Sequence, residues 1–421
     1  MRHRRELMIL AAVGAALSAP APAGAAERVL VGFDKGVSKE RQGKIVGELG
    51  GRIEKRFAAV RGGRLVAVNA RGGRRLDAVR KVLRKADGVT YAEPDFTLST
   101  AATRTPNDPD YPFQYAVANS ATGAISAPEA WGTRTSCSTV AVLDTGIDTD
   151  HPDLAPNIYK SSDKPNNGKD DDKNGYVDDT YGLNVIKGKG SGEDDNGHGS
   201  HVSGIIGGRG NNGTGVSGIC WSTKLMAVKF MNSKGKGSTS DAIDGIQYAA
   251  KKGAKVINCS FGSSSKSSAL HDAVDYAQSK GSLLVVAAGN DGDNIDKKPE
   301  YPASYTDSNI LTVAATTSTD TLASFSNYGS TAVDVAAPGN QILSTYLGGG
   351  YKLLSGTSMA SPYAAGTAAM LRKQESGATY SDLRYAIRHK VDTPPALKGK
   401  VAYNGRLNAQ RALAAIGSLV D

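Results

Sequence analysis

Three short stretches, far apart in the chain, carry residue types that together could cleave an acyl bond. The first is Gly356-Thr357-Ser358-Met359-Ala360-Ser361-Pro362, followed by Ala364, Ala365, Gly366, Ala368 and Ala369. The glycine reads as a turn and the small-residue run as a helix buried on all sides. Ser358 then sits at the helix N-terminus, where free N–H groups and the dipole favour developing negative charge. A serine is a weak nucleophile alone and needs a base, itself oriented by an acid. The second stretch is Val140-Ala141-Val142-Leu143-Asp144-Thr145-Gly146. Four apolar residues ending in Asp144 predict a buried parallel strand with a carboxylate at its C-terminal end, the edge where α/β sheets form sites. In the third, Asn196-Gly197-His198-Gly199-Ser200-His201, a histidine follows a glycine turn and opens a small-residue helix. Each has a blander reading alone: Ser358 as a helix cap, Asp144 as a strand end, His198 with His201 as a metal pair. Together they supply acid, base and nucleophile in the order Asp, His, Ser, one of the orders in which such triads occur.

The elements that position these groups follow from the hydrophobic pattern. Strands are predicted at 225–230, 256–261, 283–288 and 310–315, alternating with helices at 239–251 and 270–279. Strands alternating with helices of this length imply an α/β fold built on a doubly wound parallel sheet. Helices at 381–388 and 407–416 cover it. Ala287-Ala288-Gly289-Asn290 ends one buried strand, and Asn290 by itself suits the turn into Asp291-Gly292.

One loop carries a different chemistry. Residues 168–179 contain Asp170, Asp171, Asp172, Asn174, Gly175, Tyr176, Asp178 and Asp179. The D-x-D-x-N-G spacing converges oxygens around a glycine turn, as in an EF-hand loop. The glutamate expected at the twelfth position is Tyr181 instead. Asp170, Asp172, Asn174 and Tyr176 are thus candidate calcium ligands, completed by Asp178 or Asp179. The alternative is a solvated acidic loop.

The front of the chain differs in charge and pattern. Arg2, Arg4 and Arg5 precede an apolar run from Leu7 to Leu17 and then Ala23-Gly24-Ala25-Ala26. This is the form of a secretory signal peptide, cut after Ala25 or Ala26, which predicts a secreted product. Residues 27 to about 100 alternate as β-α-β-β-α-β, a ferredoxin-like α+β order. The formal net charge of the 421 residues is +9, and all of the excess lies in residues 1–105. The remainder is slightly acidic, so the basic balance does not indicate a nucleic-acid partner. No apolar window reaches the length of a membrane-spanning helix.

With these motifs the chain resembles the subtilisin-like serine proteases (subtilases), and the part from about Pro106 onward looks closest to the thermitase type. The resemblance implies Asp144, His198 and Ser358 as the triad, and Asn290 as the oxyanion-binding side chain beside the Ser358 N–H. It implies that Ser260-Phe261-Gly262 and Gly235-Lys236-Gly237 are the two edges between which a peptide substrate lies, with Asp291 near the base of the first specificity pocket. A second calcium site would use Asp108, Asp153 and Asn212, with backbone oxygens from Gly210, Thr214 and Val216. Cys137 and Cys220 precede strands that the family places side by side, which implies a disulfide, while Cys259 is a buried free thiol. Residues 27–105 resemble the family's inhibitory, folding-assisting propeptide. Its tail near 94–105 would lie in the cleft and be cut there, leaving 106–421 as a monomeric peptidase domain. Ser200, Ser203 and Tyr363 depart from the family's usual Thr, Ala and His.

Three rival functions leave different marks. A non-catalytic binding protein would lack part of the triad. An α/β-hydrolase esterase carries G-x-S-x-G, whereas position 360 here is Ala. A metal hydrolase would need the Glu of H-E-x-x-H.

Overall fold

A computed structural model describes residues 28–71, 76–95 and 103–420. The expected signal peptide, and residues 96–102 of the expected propeptide tail, lie outside the described residues. The chain divides into two compact units, within Met1–Thr100 and Ala101–Val420.

In the first unit the order is β1 (Val29–Phe33), α1 (Lys39–Glu48), β2 (Gly51–Arg56), β3 (Leu65–Ala70), α2 (Leu76–Leu83) and β4 (Val89–Pro94). The strands form one antiparallel sheet in the order β2-β3-β1-β4. Alternation puts Val29, Val31 and Phe33 of β1 and Val66 and Val68 of β3 on the face that meets Val46, Val79 and Leu83 of the helices. Ser38 starts α1 by accepting the Arg41 N–H at 3.3 Å.

The second unit opens with two short helices, α3 (Tyr115–Ala118) and α4 (Ala127–Thr133). There follow β5 (Val140–Asp144), β6 (Gly182–Asn184), α5 (His198–Gly207), β7 (Leu225–Lys229), α6 (Thr239–Lys251), β8 (Val256–Cys259), α7 (Ser268–Ser279), β9 (Leu283–Ala287), β10 (Ile310–Thr316) and β11 (Val335–Pro338). A hairpin, β12 (Ile342–Tyr346) and β13 (Gly350–Leu354), leads into α8 (Thr357–Gln374), α9 (Tyr380–His389) and α10 (Ala409–Ile416). Seven strands pair in parallel in the order β11-β10-β9-β8-β5-β7-β6.

Both faces of this sheet are covered, as its unbroken apolar strands require. In β5, Val140 and Val142 point into a core shared with α5, α8, α9 and α10. Ala141 and Leu143 point into a second core shared with α6 and α7. The architecture is the doubly wound α/β fold expected. The chain leaves β5 for β7 on one side and reaches β8 on the other, so the C-terminal end of β5, where Asp144 stands, is a topological switch point.

α8 is buried almost all round because its residues are small. Gly366 is required there: a Cβ would collide with Ile219. Cys137 and Cys220 form a disulfide with Cα atoms 5.6 Å apart, and their sulfurs lie 3.7 and 3.3 Å from the Gly366 carbonyl oxygen of α8. Cys259 is a buried free thiol. Burial, and then the Asp144 charge, push that thiol's pKa up. Among the described residues no helix is long and apolar enough to cross a membrane.

Candidate active site

Asp144 is fully buried at the end of β5. Its Oδ1 lies 2.7 Å from His198 Nδ1 and also accepts the Thr145 N–H at 2.7 Å. The other oxygen, Oδ2, has no partner among the described residues. His198 is the first residue of α5, entered through Gly197 with φ 102°. The next turn must pass close to β5: a Cβ on Gly199 would lie 3.1 Å from the Asp144 Cβ. Asp194 fastens this start. It accepts the Gly197 N–H at 3.0 Å, the Ser200 N–H at 2.9 Å, and the hydroxyls of Thr145 and Ser200 at 2.8 and 2.7 Å. An acid at a helix start meets the free N–H groups there. The sequence signal was present, an acid four residues before His198, but it went unread.

Burial lowers the basicity of His198. The charge and hydrogen bond of Asp144 act the other way and outweigh it, so the imidazole pKa is raised. His201 is separate from this pair. Its Nε2 faces the carbonyls of Ile342 and Lys352 at 3.0 and 2.9 Å. Burial pushes its pKa down to about 4, so it is neutral at neutral pH.

Ser358 occupies the first turn of α8, which packs on α5. Its hydroxyl donates to the Ser260 carbonyl at 3.2 Å rather than to His198. The Ser358 carbonyl has an unusual partner for a local reason. Pro362, four residues on, has no N–H to offer it. The Ser260 hydroxyl takes that place at 3.1 Å and in turn receives the Asn258 amide N–H at 2.8 Å. Ser260 thus fixes the turn that carries Ser358.

Asn290 follows Gly289 just beyond β9. Its Oδ1 accepts the Thr357 N–H at 2.8 Å and the Thr357 hydroxyl at 3.0 Å. A backbone N–H can only donate, so this contact settles which amide atom is the oxygen. The Nδ2 group is left without a partner among the described residues. Gly356 completes the group: a Cβ there would be 3.6 Å from the Ser358 N–H nitrogen and 3.7 Å from the Asn290 amide. The Ser358 N–H and the Asn290 amide therefore flank one small opening. Thr357, which sequence reasoning did not single out, orients this amide.

The two expected edge segments, 260–262 and 235–237, both pack by Phe230. Phe261 packs on Phe230 with ring centroids 4.6 Å apart. Gly235, Lys236 and Gly237 form a tight turn, with the Asn232 N–H donating to the Lys236 carbonyl and the Gly235 N–H to the Asn232 carbonyl, both at 2.9 Å. Gly262 runs against Glu300. Asp291 is exposed and lines a cavity of about 340 Å³. Behind the triad, Lys229 is almost fully buried. Its ammonium donates to the Thr145 carbonyl and to Asp195, both at 2.6 Å.

Of the candidate metal ligands, two sets are brought together. Asp108 accepts the N–H groups of Asn211 and Asn212 at 2.7 and 3.0 Å. Asp153 accepts the Asn212 amide at 2.8 Å, the Val216 N–H at 2.9 Å and the Tyr351 hydroxyl at 2.9 Å. Gly210 and Thr214 belong to the same loop, where the Asn212 side chain accepts the Thr214 N–H at 2.9 Å. Burial pushes the Asp153 carboxyl up against the pull of these hydrogen bonds.

The acidic loop is arranged differently from the EF-hand-like expectation. Oxygens of Asp172 and Asp179 lie within 4.8 Å of one another and of Asp163, which sequence reasoning missed. Lys252 reaches into the cluster, 3.1 Å from Asp172 and 3.0 Å from Asp179. Asn174 binds the Asp179 carboxylate at 3.1 and 3.0 Å. Asp170 turns instead to the N–H groups of Asn174 and Gly175, at 3.0 and 2.8 Å. Asp178, with φ 58°, turns to those of Asn167 and Gly168. Tyr176 stacks edge-on against Tyr248. Local spacing put Asp170 and Asp172 on one centre, completed by Asp178 or Asp179; backbone capping draws Asp170 and Asp178 away.

A subtilase-family model matches residues 136–412. The chain is 37% identical over 395 residues to the thermophilic serine proteinase of Bacillus sp. (strain AK1), covering 91% of this chain and 86% of that one. It is 39% identical over 313 residues to thermitase of Thermoactinomyces vulgaris, covering 73% and 99% respectively. Among solved structures, a protease from Pseudoalteromonas arctica matches with a TM-score of 0.62 and 32% identity, over 74% of this chain and all of that one. Taken with the parallel sheet and its switch-point carboxylate, these matches show that the chain belongs to the subtilase family and is a serine endopeptidase of the subtilisin type.

Proposed function

We propose that Ser358, His198 and Asp144 hydrolyse peptide bonds through an acyl-enzyme. The 2.7 Å Asp144–His198 contact, on the helix packed against the one bearing Ser358, carries this reading. Asp144 holds the Nδ1–H tautomer, which leaves Nε2 free to accept a proton. His198 takes the Ser358 hydroxyl proton as Oγ attacks the scissile carbonyl. The hydroxyl gives up its bond to the Ser260 carbonyl as it does so. Negative charge on the carbonyl oxygen meets the Ser358 N–H and the Asn290 Nδ2–H. His198 then protonates the leaving amine, and water, activated by the same base, releases the acid. The substrate backbone pairs as a strand between Ser260–Gly262 and Gly235–Gly237.

Asn290→Ala is expected to lower kcat by roughly 10²–10³, a magnitude known from subtilisin itself, with little change in KM. Steady-state kinetics on one peptide substrate measure this, and a loss that falls wholly on KM would count against the role.

The protein is further proposed to be secreted and made as a zymogen, with residues 27–105 as its propeptide. The β-α-β-β-α-β order of the first unit supports that role. Intact-mass and N-terminal analysis of wild type beside Ser358→Ala tests it. Wild type should begin near residues 101–107, while the variant stays joined to residues 27–100. Identical cutting of both proteins in a protease-free host would refute self-processing.

Calcium fits both oxygen-rich places. Asp108 and Asp153 are buried carboxylates with no lysine or arginine paired to either among the described residues, and every side-chain donor on offer is a hard oxygen. Asp108, Asp153 and Asn212 would hold one ion, with Gly210, Thr214 and Val216 near it. At Asp163, Asp172 and Asp179 one ammonium faces three carboxylates, so negative charge remains for a second. A bound ion supplies positive charge that pins these loops to the unit. Excess EGTA is expected to lower the melting midpoint by roughly 5 °C or more. Differential scanning calorimetry with and without added calcium reads this, and an unchanged midpoint would exclude a structural ion.

A further inference from the structure

The cavity of about 340 Å³ beside Asn290 is acidic, and its charge is not neutralised. Asp291, Asp293, Lys298 and Glu300 all line it. Lys298 is committed to Asp293, with its ammonium 3.0 Å from Oδ1. No hydrogen bond or ion pair engages the carboxylate of Glu300 or of Asp291 among the described residues. Glu300 is held in place from two sides. Its N–H donates to the Ser304 hydroxyl at 3.1 Å, and its carbonyl accepts the Ser304 N–H at 2.7 Å. Asn327, buried beneath the loop, accepts the N–H groups of Asp291 and Asp293 at 3.0 and 2.9 Å and so fixes the opposite wall.

The cavity belongs to the substrate cleft. A Cβ on Gly262, at the end of one proposed substrate edge, would stand 2.5 Å from Glu300 Oε1. A Cβ on Gly289, next to Asn290, would stand 3.4 Å from Glu300 Cγ. Glu300 therefore lies against the edge that would hold the residue preceding the scissile bond, and on the same side as the oxyanion group. Glycines at 262 and 289 leave its carboxylate room.

We infer that Glu300, with Asp291, makes this a pocket for a long cationic side chain, so that the enzyme cleaves after lysine or arginine. The inference rests on the peptidase reading above and names the substrate class for it. Burial, and then the neighbouring Asp291 charge, push the Glu300 carboxyl above its ordinary range; the charge of an incoming cation offsets the repulsion between the two carboxylates. An apolar ring would instead remove water from two unpaired carboxylates, which is costly. An acidic side chain would meet like charge. A carboxylate at the base of the first pocket selects basic residues in other serine proteases by this physics.

Four chromogenic peptides that differ only in the residue before the scissile bond, Lys, Arg, Phe or Glu, provide the test with the mature enzyme. Wild type is expected to show kcat/KM for Lys and Arg at least about tenfold above Phe, with Glu poorest. Glu300→Gln should cut the Lys-to-Phe ratio by about 10- to 100-fold, and Asp291→Asn by less, because Asp291 is the more exposed of the two. The ratio is internal to each preparation, so partial misfolding does not imitate the effect. A wild-type preference for Phe, or a ratio that neither substitution moves, overturns the inference while leaving the peptidase intact. If wild type cleaves none of the four and no casein, the peptidase reading itself fails and takes this inference with it.

Discussion

Ser358→Ala is expected to lower kcat by about 10⁶, the size of loss known for the equivalent change in subtilisin, with substrate binding nearly kept. The change deletes one oxygen whose single hydrogen bond among the described residues is to the Ser260 carbonyl. The helix start does not depend on that bond. Thr357 still ties α8 to Asn290 and Gly289, and the Ser260 hydroxyl still covers the Ser358 carbonyl. Folding should therefore persist, and the variant, once residues 27–105 are removed by an added protease, should still bind a peptide inhibitor. Residual activity of roughly 10³–10⁴ over water should remain, because the Ser358 N–H and the Asn290 amide survive. Active-site titration beside circular dichroism checks this. A folded variant that kept most of its activity would remove the nucleophile assignment.

Asp144→Asn should lower kcat by about 10⁴ at neutral pH, and the physical reason differs. An amide can donate to His198 Nδ1 as readily as accept from it, so the ring can settle with its proton on Nε2, where it is useless as a base. The substitution should also move the acid limb of the pH profile. His198 works when neutral, so activity is lost as pH falls through its pKa. In wild type the Asp144 charge raises that pKa against burial, which puts the limb above the ordinary histidine value of about 6.5. Without the Asp144 charge, burial is opposed by the weaker pull of Asp194 only, and the limb should move down. The measurement is kcat/KM against pH for both enzymes, and a limb that does not move would show that Asp144 does not set the basicity of His198.

The parts of this site legible in the sequence are those written in local pattern. Val140–Asp144 could be read as a strand with an acid at its end because four consecutive apolar residues require a sheet covered on both faces. The Gly197-His198 and Gly356-Thr357-Ser358 starts were legible because glycine turns precede runs of small residues. Long-range partners leave no such pattern. Lys252 and Asp163 meet Asp172 and Asp179 only once α6 is packed. Thr357 orients Asn290 from 67 residues away, and Glu300 reaches Gly262 only through the folded loop. The β12–β13 hairpin was not foreseen. Its residues neither alternate cleanly nor form one apolar run, and it pairs with itself rather than with the main sheet.

The disulfide divides the site in a way its distance from the substrate edges conceals. Cys137 and Cys220 are 83 residues apart in sequence, and the segment between them contains both Asp144 and His198, whereas Ser358 and Asn290 lie outside it. In the unfolded chain the acid and the base are therefore held within one closed ring, while nucleophile and oxyanion donor remain on an open strand. Closing a loop of that length removes roughly 4–5 kcal/mol of chain entropy from the unfolded ensemble on the loop-entropy view. The base half of the machinery thus starts folding from a smaller set of conformations than the nucleophile half. In a reducing compartment that advantage is gone, although no atom at the point of bond cleavage has changed.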